Sequence, residues 1–509
     1  MKRSSLSVLL MASLAACSDS AEPAVDVTPE ALSSAAGTIT AEDYFQRLSV
    51  IANDSMLGRD TPSPGLEATA NWIAAEFERF GIEPAGEEGT YFQRYPLTSV
   101  RADFGGSSAA MGGTELSFGK DLSFPSGAVE GDLEGDVMVV SGSGMPDEQQ
   151  LTQAVGKHVL IIAKGGGGRR AGFRTIRSFQ SSGALSVVQA SASDDTAWDR
   201  AVERQRTNVG VRFGTSTRAP RVNIRDAALR PILSARGLNL DSLRSATGGL
   251  TAKVVPGLRL SLTLRAEMIQ EQTAPNVVGM LEGRDPELRD EFVVFSAHMD
   301  HIGTGTPDES GDSIFNGADD DASGTVTIVE LAEAFASMDS APRRSTIFLL
   351  VSGEEKGLWG SRYFVDNPPV PIDRIVADLN ADMVGRNWPD SIVVIGKEHS
   401  DLGATLKGVN DQHPELGMVT ADDIWPEQNF YSRSDHYNFA RKGVPILFFF
   451  NGTHDDYHGR NDEVDRIDSE KASRIGKLMF YLGVEVADRT ARPVWNPESY
   501  REIVEGVGR

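Results

Sequence analysis

Side chains that can bind a divalent metal ion follow several apolar runs in the C-terminal half of the sequence. They are His298, the pair Glu354 and Glu355, Asp382, and His458 within the loop 454–458. A further loop, 317–324, has the sequence GADDDASG and places three carboxylates before a helical stretch. Imidazole and carboxylate groups without thiolates are the ligands of hydrolytic zinc and similar sites, and a pair of ions needs one carboxylate between them. These residue types therefore predict a metal-dependent hydrolytic site.

The elements that must position these side chains are predicted to be strands of an α/β domain. Compact apolar runs have the length of buried strands, at 292–297, 345–351, 374–379, 392–395 and 444–450. Helical patterns separate them, which favours a mostly parallel, mixed central sheet with helices on both faces. Ligands bind such sheets at the carboxyl ends of the strands. Each polar residue alone has an ordinary structural explanation, but their repeated placement at strand ends favours a site.

The composition narrows the possible functions. The 509 residues amount to roughly three domains. Lys and Arg number 49 against 73 Asp and Glu, giving a net charge of −24. This charge repels phosphate backbones, so no nucleic-acid partner is expected. The only cysteine, Cys17, leaves the folded part without disulfides or thiolate ligands, so His, Asp and Glu must hold any metal.

The N-terminus is predicted to be an export signal. A basic start and a short apolar stretch lead to the sequence LAAC at 14–17, which resembles the lipobox of bacterial lipoproteins. We expect residues 1–16 to be a signal peptide, Cys17 to carry a lipid anchor as the only membrane contact, and 17–39 to be a flexible tether. The alternative is an ordinary signal peptide with a chance cysteine. The expected location is the periplasm or the outer membrane.

The middle of the chain differs from the segments on either side in its composition and hydrophobic pattern. Residues 110–272 contain Gly-rich turns around short β-branched runs, whereas 41–109 carries two amphipathic helical patterns. We therefore predict a β-rich domain at 110–272, inserted into a discontinuous domain made of 41–109 and 273–490. A C-terminal tail at 491–509 follows. The glycine run 165–168 lacks the lysine and hydroxyl of a phosphate-binding loop.

Five segments resemble the motifs of the M28 (peptidase family Q) zinc exopeptidases. They are SAHMD at 296–300, GADDDASG at 317–324, SGEEKGLWGS at 352–361, NADMVG at 380–385 and YH at 457–458. The resemblance covers 41–104 and 274–490, and it implies the zinc-exopeptidase (phosphorylase/hydrolase-like) fold and peptide substrates. Residues 156–162 and 182–184 look like parts of a protease-associated (PA) domain, an insert common in this family.

The resemblance also implies a role for the motif residues. It assigns two zinc ions per chain, with the ligands His298 and Asp382 for one, Glu355 and His458 for the other, and Asp320 between them. In the same pattern Glu354 is the general base, Asp300 orients His298, and Tyr457 donates to the developing oxyanion. The two glutamates can have different roles because consecutive side chains at a strand end point apart.

Several nearby residues compete with these assignments. Asp319 and Asp321 flank the bridging aspartate, and His436 and His454 are rival histidines. The family pattern leaves all four outside the ligand set. The residues after His458 depart from the usual family sequence, which allows a different setting of this loop.

Three functions remain open from the sequence. The first is an aminopeptidase, whose acidic site would hold the free amine of the substrate. The second is a carboxypeptidase or dipeptidase, in which Arg386, Arg433 or Arg460 would bind a carboxylate. The third is a non-catalytic binding protein, which the complete set of ligands and base argues against. A glutaminyl cyclase is a weaker match because those relatives typically use a single zinc. The sequence defines neither the substrate-binding residues nor the oligomeric state.

Overall fold

The structure, a computed structural model, describes residues 28–124, 129–162, 169–214 and 218–506. The chain divides into two compact units, of which the second is Arg94–Pro275 and the first contains the residues on either side. The second unit is wider than the predicted insert because it includes an extended segment before residue 110. The predicted signal peptide and the lipid anchor at Cys17 lie outside the described residues.

The first unit begins with α1 (Pro29–Ala36), α2 (Ala41–Ile51), α3 (Pro64–Phe80) and the short strand β1 (Glu83–Pro84). The side chains of Thr40 and Ser63 cap the N-termini of α2 and α3. Gly81 ends α3 in the left-handed conformation that glycine adopts without strain.

Helix α1 lies within the segment 17–39 that the composition predicts to be a flexible tether. Thr28 caps this helix, and its last two residues are buried, as is Ile39 beyond it. The described part of this segment is therefore a packed helix. Its small alanine side chains are compatible with close packing even though they give little apolar character to the sequence.

The second unit has its own apolar core and a seven-stranded sheet. Its strands are β2 (Phe92–Ala102), β3 (Ser108–Met111), β4 (Thr114–Leu116), β5 (Gly131–Ser141), β6 (His158–Ile162), β7 (Ser186–Ser191), β8 (Val209–Arg212), β9 (Arg221–Arg225) and β10 (Thr251–Leu264). Its helices are α4 (Glu148–Ala154), α5 (Arg169–Ser181), α6 (Asp195–Thr207), α7 (Asp226–Ser234) and α8 (Leu240–Ser245). Seven strands form a sheet in the order β4-β3-β10-β5-β6-β7-β9. Val139 and Val140, neighbours on β5, belong to separate apolar clusters on the two faces of this sheet.

Strand β11 (Ala266–Leu281) leads back into the first unit. The strands that follow are β12 (Phe292–His298), β13 (Ser345–Val351), β14 (Ile375–Ala381), β15 (Ser391–Ile395), β16 (Val419–Ala421) and β17 (Ile446–Phe450). The helices are α9 (Gly324–Ala336), α10 (Trp359–Asp366), α11 (Leu402–Gln412), α12 (His436–Ala440), α13 (Ser469–Asp488) and α14 (Pro497–Ile503). Helix α14 falls within the predicted tail, and its Ile503 packs against the core of the first unit.

These strands are arranged in the order β16-β15-β17-β14-β12-β13-β11. Strand β12 pairs in parallel with β13 and β14, and β14 pairs in parallel with β17. Strands β11 and β15 pair antiparallel with their inner neighbours. The predicted α/β fold with a mostly parallel, mixed sheet is confirmed. The carboxyl ends of β12, β13, β14 and β17 consequently meet at one edge.

Helices cover both faces of this sheet. Val294 on β12 belongs to an apolar cluster that includes Phe364 of α10 and Phe439 of α12. The next residue, Phe295, contacts Phe335 of α9 on the opposite face, with ring centroids 5.2 Å apart. Such strands are apolar on both sides, which explains why they appear in the sequence as continuous apolar runs. Among the described residues, no helix combines the length and apolar character needed to cross a membrane.

Candidate metal centre

Two groups of potential metal ligands meet at Asp320. Nε2 of His298 lies 3.4 Å from Oδ1 of Asp320 and 3.6 Å from Oδ1 of Asp382. Nε2 of His458 lies 3.1 Å from Oδ2 of Asp320 and 3.1 Å from Oε1 of Glu355. Each carboxylate oxygen of Asp320 therefore faces a different group. The structure brings together all five residues that the sequence proposed as ligands.

The strand ends position these side chains. His298 is the last residue of β12, and Asp382 follows the last residue of β14. The turn after β13 separates the two consecutive glutamates. Glu354 lines a cavity that also contains His298 and Asp382, whereas Glu355 reaches His458. This divergence is the one expected for consecutive side chains at a strand end.

The acidic loop holds Asp320 through the carboxylates around it. Asp321 accepts hydrogen bonds from the backbone N–H groups of His298, Gly324 and Met383, at 3.2, 2.8 and 3.1 Å. The carboxylate of Asp462 accepts from the N–H of Asp320 at 3.1 Å. Asp321 thus ties the ends of β12 and β14 to the start of α9.

Asp319 has a similar structural role on the other side of Asp320. One of its oxygens accepts from the N–H of Gly385 at 2.7 Å, and the other lies 3.3 Å from Nε2 of His454. His454 is therefore directed at Asp319. His436, the other rival histidine, uses Nε2 to bond the carbonyl of Tyr431 at 2.8 Å.

The orphaned polar atoms of the site fit a pair of divalent ions. Among the described residues, several buried side-chain atoms of the two groups make no hydrogen bond, namely Asp320 Oδ2, Glu355 Oε1, Asp382 Oδ1 and His458 Nε2. Burying such atoms without a partner is unfavourable. Imidazole nitrogen and carboxylate oxygen are the donors that zinc prefers when thiolates are absent. The donor set therefore fits the implied zinc.

A fifth orphaned group belongs to a residue outside the predicted set. His301 has no exposed surface, and neither of its ring nitrogens makes a hydrogen bond. Its Nδ1 lies 3.0 Å from Oε1 of Glu355 and 3.7 Å from Oδ2 of Asp320. His301 follows the predicted His298 by three positions, but the motif contains only the first histidine. His301 lies directly after the motif SAHMD, and no separate pattern in the sequence selects it.

The site is strongly acidic. Burial, with the nearby charge of Glu355, raises the pKa of Glu354 well above its ordinary value. Burial also raises the pKa of Asp300 to about 7 and that of Asp435 to about 6. At Asp320 burial acts in the same direction, but the adjacent imidazoles of His298, His458 and His301 hold its pKa well below the usual range. Such clustered perturbations are typical of functional sites and favour bound cations.

Neighbouring groups fix the orientation of the candidate ligands. Nδ1 of His298 bonds the backbone carbonyl of Asp300 at 3.1 Å, and the carboxylate of Asp300 lies farther away at 3.8 Å. That carboxylate instead accepts from Thr61 Oγ1 and from the N–H of Glu354, at 3.1 and 3.2 Å. Ser434 donates to Oδ2 of Asp382 at 2.8 Å, leaving Oδ1 directed at His298. The sequence analysis identified neither Thr61 nor Ser434, which lack a recognisable motif.

Arg59 stabilises the loops around the site through hydrogen bonds to their backbone. It is fully buried and donates to the carbonyls of Ile51, Met299, Asn316 and Gly317, at 2.6–2.9 Å. Burial lowers its pKa to about 10. It joins α2 to the segments that carry His298 and Asp320, so its role is structural.

An open cavity lies beside the two groups. Its lining combines the polar residues with Met383, Phe430, Phe448 and Phe450. Tyr457 also lines it, and burial raises the pKa of that phenol well above its ordinary value, so the hydroxyl keeps its proton. This combination of apolar walls and a few polar groups suits one amino-acid side chain next to a reacting peptide group.

The three candidate arginines differ in their placement. Arg433 lines the cavity and stacks over the ring of Phe430 at 4.5 Å. Arg386 is paired with Asp456 at 2.9 Å. Arg460 donates to the carbonyl of Thr306. Only Arg433 among these three is positioned to meet a substrate.

The chain is similar to known metallopeptidases. Residues 276–483 match the model of Peptidase family M28. Aminopeptidase YwaD of Bacillus subtilis (strain 168) is 25% identical over 242 residues, 45% of this chain and 49% of the relative. A probable zinc metalloprotease of Pyricularia oryzae is 25% identical over 334 residues, 58% of this chain and 62% of the relative. The chain therefore spans about half to three-fifths of the length of these curated relatives.

A solved structure shows the same fold. An aminopeptidase from Aneurinibacillus sp. strain AM-1 is similar with a TM-score of 0.52 at 18% identity, covering 92% of this chain and 98% of that one. The match of residues 276–483 to Peptidase family M28 agrees with the motifs. The PA identity of the insert and the lipoprotein signal stay predictions.

Proposed function

We propose that this protein is a zinc-dependent aminopeptidase that removes N-terminal residues from peptides. The observation that carries the proposal is the position of Asp320, whose two oxygens face separate groups of ligands at 3.1–3.7 Å. A carboxylate in this position is the bridge that a two-metal hydrolytic site requires. The names of the similar proteins, an aminopeptidase and a zinc metalloprotease, agree with this activity.

In this proposal the two groups hold two zinc ions. The first would be held by His298 and Asp382, the second by Glu355 and His458, and both by Asp320. When bound, the ions polarise the scissile carbonyl and lower the pKa of the attacking water. The carboxylates of the site would offset their positive charge.

Glu354 is proposed as the general base. It lines the cavity beside His298 and Asp320, and it is not needed as a ligand because Glu355 fills that role. Its carboxylate takes the proton of the attacking water and delivers it to the leaving amine. Burial and the charge of Glu355 raise the pKa of Glu354, whereas two bound ions would lower it, and an efficient general base needs a pKa near the working pH.

Tyr457 is proposed to stabilise the oxyanion that develops on the scissile carbonyl. Its raised pKa keeps the phenol protonated, so that it can donate a hydrogen bond. The ring stacks on that of His458, with centroids 4.0 Å apart, which limits its movement.

The name of a similar protein, an aminopeptidase, favours removal of N-terminal residues. Asp320, Glu354 and Asp382 line the cavity against one arginine, but bound zinc would offset the charge of the two ligand carboxylates. A carboxypeptidase or dipeptidase is the second candidate because Arg433 lines the same cavity and could bind a carboxylate.

Mass spectrometry of peptide products tests this proposal. The mature protein, supplied with Zn²⁺, is incubated with one decapeptide in three forms: unblocked, N-acetylated and C-amidated. We expect stepwise loss of N-terminal residues from the unblocked and amidated forms and none from the acetylated form. Stepwise loss from the C-terminus would instead establish the carboxypeptidase. If no form is cleaved, dipeptides then distinguish a dipeptidase from a binding protein.

We also propose that the protein is exported and anchored by a lipid on Cys17, and that the second unit is a PA-type insert. The sequence LAAC at 14–17 and the resemblance at 156–162 support these two points. Labelling of cells with a fatty-acid analogue, followed by purification, tests the anchor. Label on the wild type and none on a Cys17→Ala variant is the expected result.

A further inference from the structure

His301 is the buried residue of the site to which the proposed function gives no role. Its ring is fully buried between the carboxylates of Glu355 and Asp320, at 3.0 and 3.7 Å from Nδ1. A distance of 3.0 Å would suit a hydrogen bond to Glu355, but the bond is not made, and Nε2 also has no partner among the described residues. A fully buried imidazole without hydrogen bonds is costly unless another ligand satisfies it.

The distances around His301 lie within about 0.3 Å of those between ligands of one zinc ion. With bonds of about 2.0–2.2 Å and tetrahedral angles, neighbouring donor atoms of a zinc site lie about 3.3–3.6 Å apart. Nδ1 of His301 lies 3.0 and 3.7 Å from the two carboxylates, and Nε2 of His458 lies 3.1 Å from the same two atoms. Both imidazoles therefore lie next to the same two oxygens, Oδ2 of Asp320 and Oε1 of Glu355.

We propose that His301 is a protein ligand of the second zinc position, together with His458, Glu355 and Asp320. This inference rests on the proposed two-metal function. The second position then has four protein donors. The first has three, from His298, Asp382 and Asp320.

This difference gives the two positions different tasks. A zinc site with four protein ligands is closed, whereas one with three keeps a position for water or substrate. The second ion is then held more tightly, and the first is the one open to substrate. His301 is fully buried whereas the His458 side chain is 35% exposed, so the buried ligand is the less exchangeable of the two.

Proton NMR of the cobalt-substituted protein tests this proposal. The full chain is freed of metal with a chelator and reloaded with two equivalents of Co²⁺. Each imidazole bound to Co²⁺ gives a strongly shifted N–H signal that disappears in D₂O. We expect three such signals in the wild type and two in a His301→Asn variant. The matched control is His454→Asn, since Nε2 of His454 lies 3.3 Å from Asp319, which is outside the ligand set, and this variant should keep three signals.

Zn²⁺ titration by calorimetry supplies a second measurement. Loss of a group that only supports a ligand weakens metal binding by about 10–100-fold, so loss of a direct ligand should weaken one of the two sites by about 100-fold or more. The amide of His301→Asn can still donate a hydrogen bond to Glu355. If His301 only supports that glutamate, the variant keeps wild-type affinity and the proposal is overturned.

The outcomes separate this proposal from the proposed function. Two shifted signals in the wild type would overturn the role of His301 and leave the two-metal peptidase intact. Failure of the wild type to bind Co²⁺ or Zn²⁺ would overturn both. The wild-type count needs no substitution, so a variant that does not fold cannot obscure the result.

Discussion

Asp320 differs from Asp319 and Asp321 in what its carboxylate faces, although the three residues are consecutive. Asp321 is occupied by three backbone N–H groups, and Asp319 accepts from Gly385 and lies against His454. Only Asp320 keeps both oxygens directed at the two histidine-containing groups. The three aspartates thus have distinct roles because the loop directs each carboxylate toward different partners.

At this scale the role of Glu354 can be tested by replacing its carboxylate with an amide. Glu354→Gln should bind two metals but lose activity by about 10²–10⁴-fold, since a positioned general base contributes about that much. Elemental analysis and kcat measurements check the two parts. Glu78→Gln, an exposed change on α3, is the matched control. Wild-type kcat in the Glu354 variant would exclude it as the base.

At the scale of elements, the loops that carry the ligands depend on a helix from the other end of the first unit. Arg59, beyond α2, bonds the carbonyls next to His298 and Asp320 through one guanidinium group. These carbonyls belong to irregular segments, and that of Gly317 also accepts from the N–H of Ala322 at 3.2 Å. The positions of the metal ligands are therefore linked to the packing of the N-terminal helices.

Arg59→Met should destabilise the first unit by about 3 kcal/mol or more, because it leaves several buried carbonyls without a donor. Arg59→Lys should recover only part of this loss, since an ammonium cannot reproduce the planar fork of donors. Urea denaturation followed by circular dichroism measures both variants. A change below about 0.5 kcal/mol in the methionine variant would contradict the supporting role.

A second element, strand β6 of the second unit, begins with a buried histidine. Burial lowers the pKa of His158 from its ordinary value of 6.5 to about 4, and its Nδ1 contacts Ser186 Oγ at 2.7 Å. Between these two pH values the unfolded chain binds a proton that the folded chain does not. The stability from this group is therefore complete above pH 6.5 and declines as the pH falls toward 4.

We expect the free energy of unfolding to fall by up to about 3 kcal/mol between pH 7 and pH 4 because of His158. His158→Asn, which can retain a hydrogen bond to Ser186, should remove this part of the pH dependence. Denaturation of both proteins at several pH values gives the difference. His436, whose pKa burial lowers to about 3, remains in the variant, so some dependence should persist. Identical pH curves for wild type and variant would show that His158 is not responsible.

For the whole molecule, the main feature is the insertion of the second unit into the first. The chain of the first unit is interrupted after Gln93 and continues at Asn276. The side chain of Asn276 donates a hydrogen bond to that of Gln93 at 3.0 Å. Asn276 also donates to the carbonyl of Gly360 at 3.0 Å. The two ends of the first unit are therefore fixed next to each other by contacts within that unit.

Replacing residues 94–275 with a short Gly/Ser linker should leave the first unit folded, with its metal site intact. Zinc stoichiometry and cleavage rates on a dipeptide and a decapeptide are the measurements. If the second unit controls access of long substrates, the ratio of the two rates should change while dipeptide cleavage persists. Equal loss on both substrates would mean that the second unit is needed for structure.

The sequence determined the parts of this protein that depend on local pattern and residue chemistry. Continuous apolar runs identify strands covered on both sides, and the polar residues after them identify the edge where His298, Glu355 and Asp382 meet. The bounds of the tether and the insert were less accurate. Helix α1 buries small alanines, and the second unit begins with an extended segment before residue 110, and neither has a strong local pattern.

Tertiary structure alone decided which groups complete the site. Thr61, Arg59 and His301 contact groups of the site that lie 19 to 292 residues away in the sequence, and their roles depend on distances that no local spacing encodes. The sequence also could not show that Arg433, and neither Arg386 nor Arg460, lines the cavity. A motif specifies the kinds of ligand, but the packing of distant segments fixes their number and direction.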